Sequence, residues 1–400
     1  MHQTIPSDFF NFEYVRVLGM AGVHGADVGE CLEAAAIIKA NDPESWYHAW
    51  TRAAETAETA AAQALSDGDR EAPEDPRLLP IMEKCVSNFS SATKLFDSHV
   101  EPLSIPYGTA KLPGYLYFPD KQKTSGISPA GKVPVVINTN GFDSVQEELY
   151  FFTASGAITR GYACLTFDGP GQGIVLRRDG LCLRPDWEVV IAAVLDHLYL
   201  LAEKHTEWNL DLSCVALTGA AMGGYLALRG ATDERIKACI SVDGFYDFSE
   251  QVRDRTPLIM RYLSDGVANT VINWASRFNM QNRFEFGHNR LAFGTGSCVE
   301  SLRRVSKLTL EPEGETPICS RIRCPTLVTA ARDSIYRVES KRIFDALTRL
   351  EEGAGEKELW DPETPAQGSL QAKAGAIPYF HTKTFGWLDQ TFGIKRTPLE

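Results

Sequence analysis

No run of apolar residues in this chain approaches the ~20 that a membrane-spanning helix needs, so no transmembrane helix is read from it. Positive charge is in deficit: 40 Lys and Arg against 52 Asp and Glu leave a net charge of −12. That balance argues against nucleic acid or an anionic membrane as the main partner. The start, Met1-His-Gln-Thr-Ile-Pro-Ser-Asp8, has neither a basic segment nor an apolar one. No secretory signal is expected, and the expected location is cytoplasmic. The nine cysteines are odd in number, and Cys164, Cys214 and Cys239 fall in strand-like apolar runs. They read as buried thiols of a reducing compartment, not as a disulfide framework. Metal-ligand spacings, a P-loop and a dinucleotide fingerprint are all missing, so no cofactor and no metal are expected. Asp168-Gly-Pro-Gly-Gln-Gly173 is glycine-rich, but its proline makes it a turn.

What remains is an ordinary globular composition, 44% hydrophobic and 23% charged. Its 400 residues suffice for one large α/β domain with an added cap, or for two domains. Residues 8–100 read as helical: Asp42-Pro-Glu-Ser-Trp46 supplies an N-cap with proline at the first helical position. An alanine-rich run from Ala53 to Ala64 follows, Ser66-Asp-Gly-Asp69 breaks it, and Leu78 to Phe96 resumes the pattern. Such a module serves either to dimerise, giving a homodimer, or to close an active site. Leu103 to Phe118 alternates as a β-hairpin. Strand signals then alternate with helical ones: Val133–Asn138, Glu147–Thr159, Ala163–Phe167, Trp187–Glu203, Val215–Leu217, Tyr225–Gly230, Ala238–Val242. The alternation predicts right-handed βαβ units and a mostly parallel sheet. Pro325–Ala330 and Lys357–Trp360 are later strands, and Ala376 to Phe392 is a closing amphipathic helix. The expected organisation is an N-terminal helical cap (1–102), an α/β core (103–248 and 320–400), and a lid insertion (249–319).

One stretch organises the rest. Cys214 to Arg229 is an apolar β-branched run, a glycine-bracketed turn and a helix start. In the Gly-x-Ser-x-Gly nucleophile elbow, the strand-to-helix turn is so tight that glycine is needed on both sides. Gly219 and Gly223 hold those places, Gly224 adds room for helix–sheet packing, and Ala221 stands where the serine belongs.

Asn140-Gly-Phe-Asp-Ser144, Glu147-Glu148, Phe167-Asp-Gly-Pro-Gly-Gln-Gly173, Arg184-Pro-Asp-Trp-Glu188 and Gly219–Gly224 together resemble the fungal α/β-hydrolases that act on polyketides. Polyketide-shortening hydrolases and the bacterial dihydroxypseudooxynicotine hydrolase are similar too. Ile236 to Gly244 and Arg323 to Val328 extend the resemblance over most of 103–248 and 320–393. It implies an α/β-hydrolase fold with a Ser-Asp-His triad in that order. The serine position is then Ala221 and the acid is Asp333. The histidine position, sixteen residues before Trp387, is Gln371. His381 falls inside the closing helix, and none of the eight histidines lies between Asp333 and Ala376. A deliberately inactivated protein would explain a change at Ala221 but not a second one at Gln371.

The same resemblance puts the backbone amides of Phe142 and Met222 in an oxyanion hole, which can stabilise an enolate without any nucleophile. Asp143, beside that hole, is the first candidate for proton handling, with Tyr246 and His288 behind it. Glu148, Asp168 and Asp247 are further polar candidates, Asp168 as a structural hydrogen-bonding group. The leading expectation is a non-hydrolytic enzyme of secondary metabolism that takes a small polyketide-derived substrate. It would promote cyclisation, condensation or isomerisation. A hydrolase or carbon–carbon lyase with misassigned residues, and a catalytically silent binding or scaffolding protein, are the alternatives.

Overall fold

The computed structural model describes the chain except residues 1, 2, 6, 24, 41, 60–77, 120–127, 352–355 and 397–400. Four helices come first: α1 (Asp8–Leu18), α2 (Val28–Ile37), α3 (Pro43–Thr59) and α4 (Leu78–Thr93). The Asp42 carboxylate caps α3 as the sequence implies, accepting from the amides of Glu44 (3.1 Å) and Ser45 (3.2 Å). The break expected at Ser66–Asp69 lies outside the described residues. The first three of these helices have a small core of their own, in which Phe10 stacks on Trp46 at 4.9 Å and Tyr14, Cys31 and Ala34 are buried.

The hairpin forms β1 (Val100–Tyr107) and β2 (Ala110–Tyr117), turning at Gly108 with φ +55°. Then follow β3 (Val133–Thr139), α5 (Gln146–Leu149), a π-helical turn at Tyr150–Ala154, α6 (Ser155–Ile158) and β4 (Ala163–Phe167). Next are α7 (Gly173–Asp179), α8 (Glu188–Lys204), β5 (Leu210–Ala220), α9 (Met222–Gly230) and β6 (Ala238–Val242). Strand β5 is longer than its apolar signal, Val215–Leu217, because a register shift lets Leu210 and Asp211 also pair with β3. Between β6 and the next strand lie α10 (Phe248–Arg255), α11 (Asp265–Ser276), α12 (Met280–Ala292) and α13 (Cys298–Val305). The chain closes with β7 (Thr326–Thr329), α14 (Arg337–Ala346), β8 (Lys357–Trp360) and α15 (Ile377–Phe392).

The strands lie in the order β1-β2-β4-β3-β5-β6-β7-β8, antiparallel through β4 and parallel from there on. This is the α/β-hydrolase sheet. Strands β3, β4 and β6 are buried along their whole length, as a parallel sheet covered on both faces requires. One face packs on α8 and α9 around Trp187, Leu217 and Leu226; the other on α15 and Phe152. All cysteines are free; Cys85 and Cys182 are exposed and the rest buried. No helix among the described residues is long and apolar enough to cross a membrane.

Candidate active site

Ala221 sits between β5 and α9 with φ 52° and ψ −113°. Such a φ costs a non-glycine residue on the order of 1–3 kcal/mol and persists only where the surroundings dictate it. Here they do. The Ala221 amide donates to the Val242 carbonyl at 2.8 Å, and its own carbonyl accepts from Gly224 at 3.0 Å. A Cβ on Gly219 would lie 2.3 Å from the Gly223 oxygen, and one on Gly223 would lie 2.9 Å from the Thr139 oxygen. The elbow is therefore intact in backbone, with a methyl group at its apex.

Facing it, the turn after β3 is braced from behind. Asp168, fully buried, accepts from Asn140 Nδ2 (2.8 Å) and from the amides of Gln146 (3.0 Å) and Ile174 (3.2 Å). Gln172 Nε2 donates to the carbonyls of Asn140 (2.8 Å) and Gly141 (2.9 Å). The glycine-rich segment is thus a support for the Asn140 turn. His288, expected as a reserve base, is part of the same support. Its Nε2 donates to the Phe142 carbonyl at 2.9 Å, and burial holds its pKa below the usual value. The amides of Phe142 and Met222 have no hydrogen-bond partner among the described residues.

Both residues line one cavity of about 650 Å³, together with Asp143, Ala221 and Gln371. Helix α1 forms another wall through Phe9, Phe12, Glu13 and Arg16. Two contacts dock that helix: a Cβ on Gly19, at its end, would meet Gly375 at 2.5 Å, and Phe9 lies against Phe284 of α12 at 6.0 Å. The N-terminal helices thus take part in closing the cavity.

The other positions implied for a triad are placed as follows. Exposed Asp333 accepts from Ser369 Oγ at 2.8 Å, and among the described residues no histidine is bonded or ion-paired to it. His381 is buried in α15, and its Nε2 donates to the Phe152 carbonyl at 2.8 Å. Burial lowers its pKa to about 4, so the ring is neutral. Gln371 reaches the cavity from a loop held by a fully buried ion pair, Lys373 Nζ to Asp243 Oδ1 at 2.7 Å. Asp243 Oδ2 also accepts from the Ala372 amide at 2.8 Å, in a stretch where Ala372 (φ 54°) and Lys373 (φ 58°) are both left-handed. Tyr246 does not line the cavity; its hydroxyl goes to Glu311 at 3.2 Å. Asp247 caps α10, accepting from the Ser249 amide at 2.7 Å.

Glu13 and Arg16, which the sequence did not single out, meet Asp143 and Glu148 at the cavity wall. Arg16 Nη2 lies 2.8 Å from Glu13 Oε2, and Nη1 lies 3.6 Å from Glu148 Oε1. Burial pushes the Glu13 carboxyl up to about 7; Arg16 opposes this, and Asp143 and Glu148 add to it. Glu148 is raised by burial, against Arg16 and with Asp143. Burial works against the Arg16 charge, but Glu148, Glu13 and Asp143 together hold its pKa above the usual range. The only advance signal was the i, i+3 spacing of Glu13 and Arg16 among the aromatic residues of α1.

No family model matches the chain. It is 44% identical to the α/β-hydrolase psoB of Aspergillus fumigatus, over all of this chain and 96% of that protein. It is 43% identical to the 20-hydroxy-prefusarin hydrolase FUS2 of Gibberella moniliformis, over the full length of both. Among solved structures, the 2,6-dihydroxy-pseudo-oxynicotine hydrolase aligns with a TM-score of 0.59 at 19% identity, covering 95% of this chain and 88% of that one. AbyA5 aligns with a TM-score of 0.59 at 15% identity, covering 97% and 95%. The two structures speak for the fold, and the two sequence relatives for the family. The chain belongs to the fungal α/β-hydrolase family of polyketide biosynthesis.

Proposed function

We propose that this protein is a non-hydrolytic member of its family, which binds a polyketide-derived carbonyl compound and promotes its cyclisation, condensation or isomerisation by stabilising an enolate. One observation carries the reading. The elbow keeps its strained turn at Ala221, with a methyl group where a nucleophile would stand, and Met222 and Phe142, whose amides would form the oxyanion hole, line the same cavity. An oxyanion held by two such amides gains about 3–4 kcal/mol per donor at sites of this kind. The Asp143 carboxylate, adjacent to Phe142 and lining the same cavity, would take the proton from the substrate carbon. Acyl-enzyme chemistry lacks its parts: Ala221 has no hydroxyl, Gln371 no imidazole, and Asp333 is occupied by Ser369.

The relatives are named as hydrolases, which favours hydrolysis as the competing reading, and an ester assay separates the two. Wild type, Ala221→Ser, Gln371→His and the double variant are compared on a p-nitrophenyl ester. Both single variants should stay near the wild-type background, because a serine without its base is a poor nucleophile. The double variant should rise above them. Rapid turnover by wild type or by Ala221→Ser alone would reveal a working base and defeat the proposal.

A further inference from the structure

We propose that the N-terminal helix α1 supplies the acid partner of this reaction: Glu13, held by Arg16 and lining the same cavity as Asp143, donates a proton to the substrate oxygen. This rests on the enolate reading and extends it to a group outside the α/β core. Glu13, Asp143 and Glu148 come from α1, the turn after β3, and α5: Glu13 and Glu148 pair with the Arg16 guanidinium, and the Asp143 charge acts on it from the same cavity wall. Burial first, and the charges of Asp143 and Glu148 after it, raise the Glu13 pKa to about 7 against the pull of Arg16, so Glu13 holds a proton to give. Glu285 of α12 lines the same cavity. Arg16 Nε is buried without a hydrogen-bond partner among the described residues, so the guanidinium keeps one donor uncommitted.

The proton balance closes within the cavity. A substrate C–H bond breaks, its proton passes to Asp143, and its electron pair forms the enolate held by the amides of Phe142 and Met222. The enolate oxygen takes the proton from Glu13, forming the O–H bond of an enol and leaving a Glu13 carboxylate paired with Arg16. Proton transfer from Asp143 back to Glu13 restores both groups, with no oxidant or reductant required. Asp143 and Glu13 thus divide the work of base and acid, as paired carboxyl groups in different surroundings commonly do.

The test uses the full-length protein and 3-decanoyl tetramic acid, a β-tricarbonyl that is an anionic enolate at neutral pH. Its affinity is measured by calorimetry from pH about 6 to about 8.5, with proton uptake read from buffers of different ionisation enthalpy. In wild type, the affinity should fall as pH rises through about 7, approaching tenfold per unit above it, with proton uptake on binding. Glu13→Gln, which keeps the hydrogen-bond donor and cannot titrate, should bind with an affinity independent of pH. Carbon-13 NMR of labelled glutamate should show two carboxyls titrating near 7, those of Glu13 and Glu147, of which the first is absent from Glu13→Gln and shifted down in Glu148→Gln. An unchanged pH slope in Glu13→Gln would overturn the role of Glu13 alone. No binding of the probe by wild type, with the Glu13 resonance still titrating near 7, would overturn the enolate reading instead. A Glu13 resonance titrating in the ordinary carboxylate range would overturn the acid assignment.

Discussion

Helix α5 sends successive glutamates into two different surroundings. Glu147 is buried, and its pKa is raised to about 7 by burial first and by the Asp168 charge second. Asp168 is itself raised to about 6 by burial, although Asn140 and the amides of Ile174 and Gln146 pull it down. Glu148 instead lines the cavity, where Arg16 and Asp143 meet it. Both places raise a carboxyl pKa, so the shift alone does not mark chemistry. Access does. The Asp168 carboxylate spends its lone pairs on the backbone that shapes the Asn140 turn, whereas Glu148 and Glu13 face space large enough for a ligand.

The comparison breaks most visibly at Asp168. Asp168→Ala leaves Asn140 Nδ2 with the Ser144 carbonyl alone and two buried amides without an acceptor, and the expected loss is ~3–5 kcal/mol of stability. Urea unfolding should show it as a lower midpoint at unchanged slope. A loss below about 1 kcal/mol would mean that something else holds the turn.

A smaller effect is expected from Glu147→Gln, and it is a change in pH dependence. The folded carboxyl titrates near 7 against an ordinary 4.5, so the native state keeps a proton that the unfolded state releases. That contribution is complete below about 4.5 and is lost as pH rises through about 7, with a slope of up to ~1.4 kcal/mol per pH unit. Glu147→Gln should make the fall in stability across this window shallower. Glu13, also near 7, leaves part of the slope in place. Stability curves that superimpose for wild type and variant would remove the sealed pair from the account. The smallest effect belongs to Glu148→Gln: at a cavity wall it should change stability by less than about 1 kcal/mol. A melting temperature as low as that of the Asp168 variant would make both groups structural.

Much of this could be read from the sequence because its signals are local. The βαβ alternation and the glycines at 219, 223 and 224 specify a sheet and an elbow, and the structure brings Ala221, Met222, Phe142, Asp143 and Gln371 to one cavity. What could not be read depends on docking. Glu13 and Arg16 are far from Asp143 in the chain, and tertiary packing such as the close approach of Gly19 to Gly375 and of Phe9 to Phe284 carries them there. Tyr246 and His288 illustrate the converse. A position near a strand end or in a lid does not say where a side chain points, and these two point to Glu311 and to the Phe142 carbonyl.

Consecutive residues at the end of β6 hold both loops that frame the chemistry. The Val242 carbonyl anchors the elbow through the Ala221 amide, and the Asp243 carboxylate anchors the Gln371 loop through Ala372 and Lys373. The distance between these two sides is therefore a fixed gauge, set by one step of a buried strand. Ligands of different size would all have to fit the same jaw at their reacting end. Tolerance for the remainder of a molecule must come from α1 and from the helices between β6 and β7, where no such strand dictates the spacing.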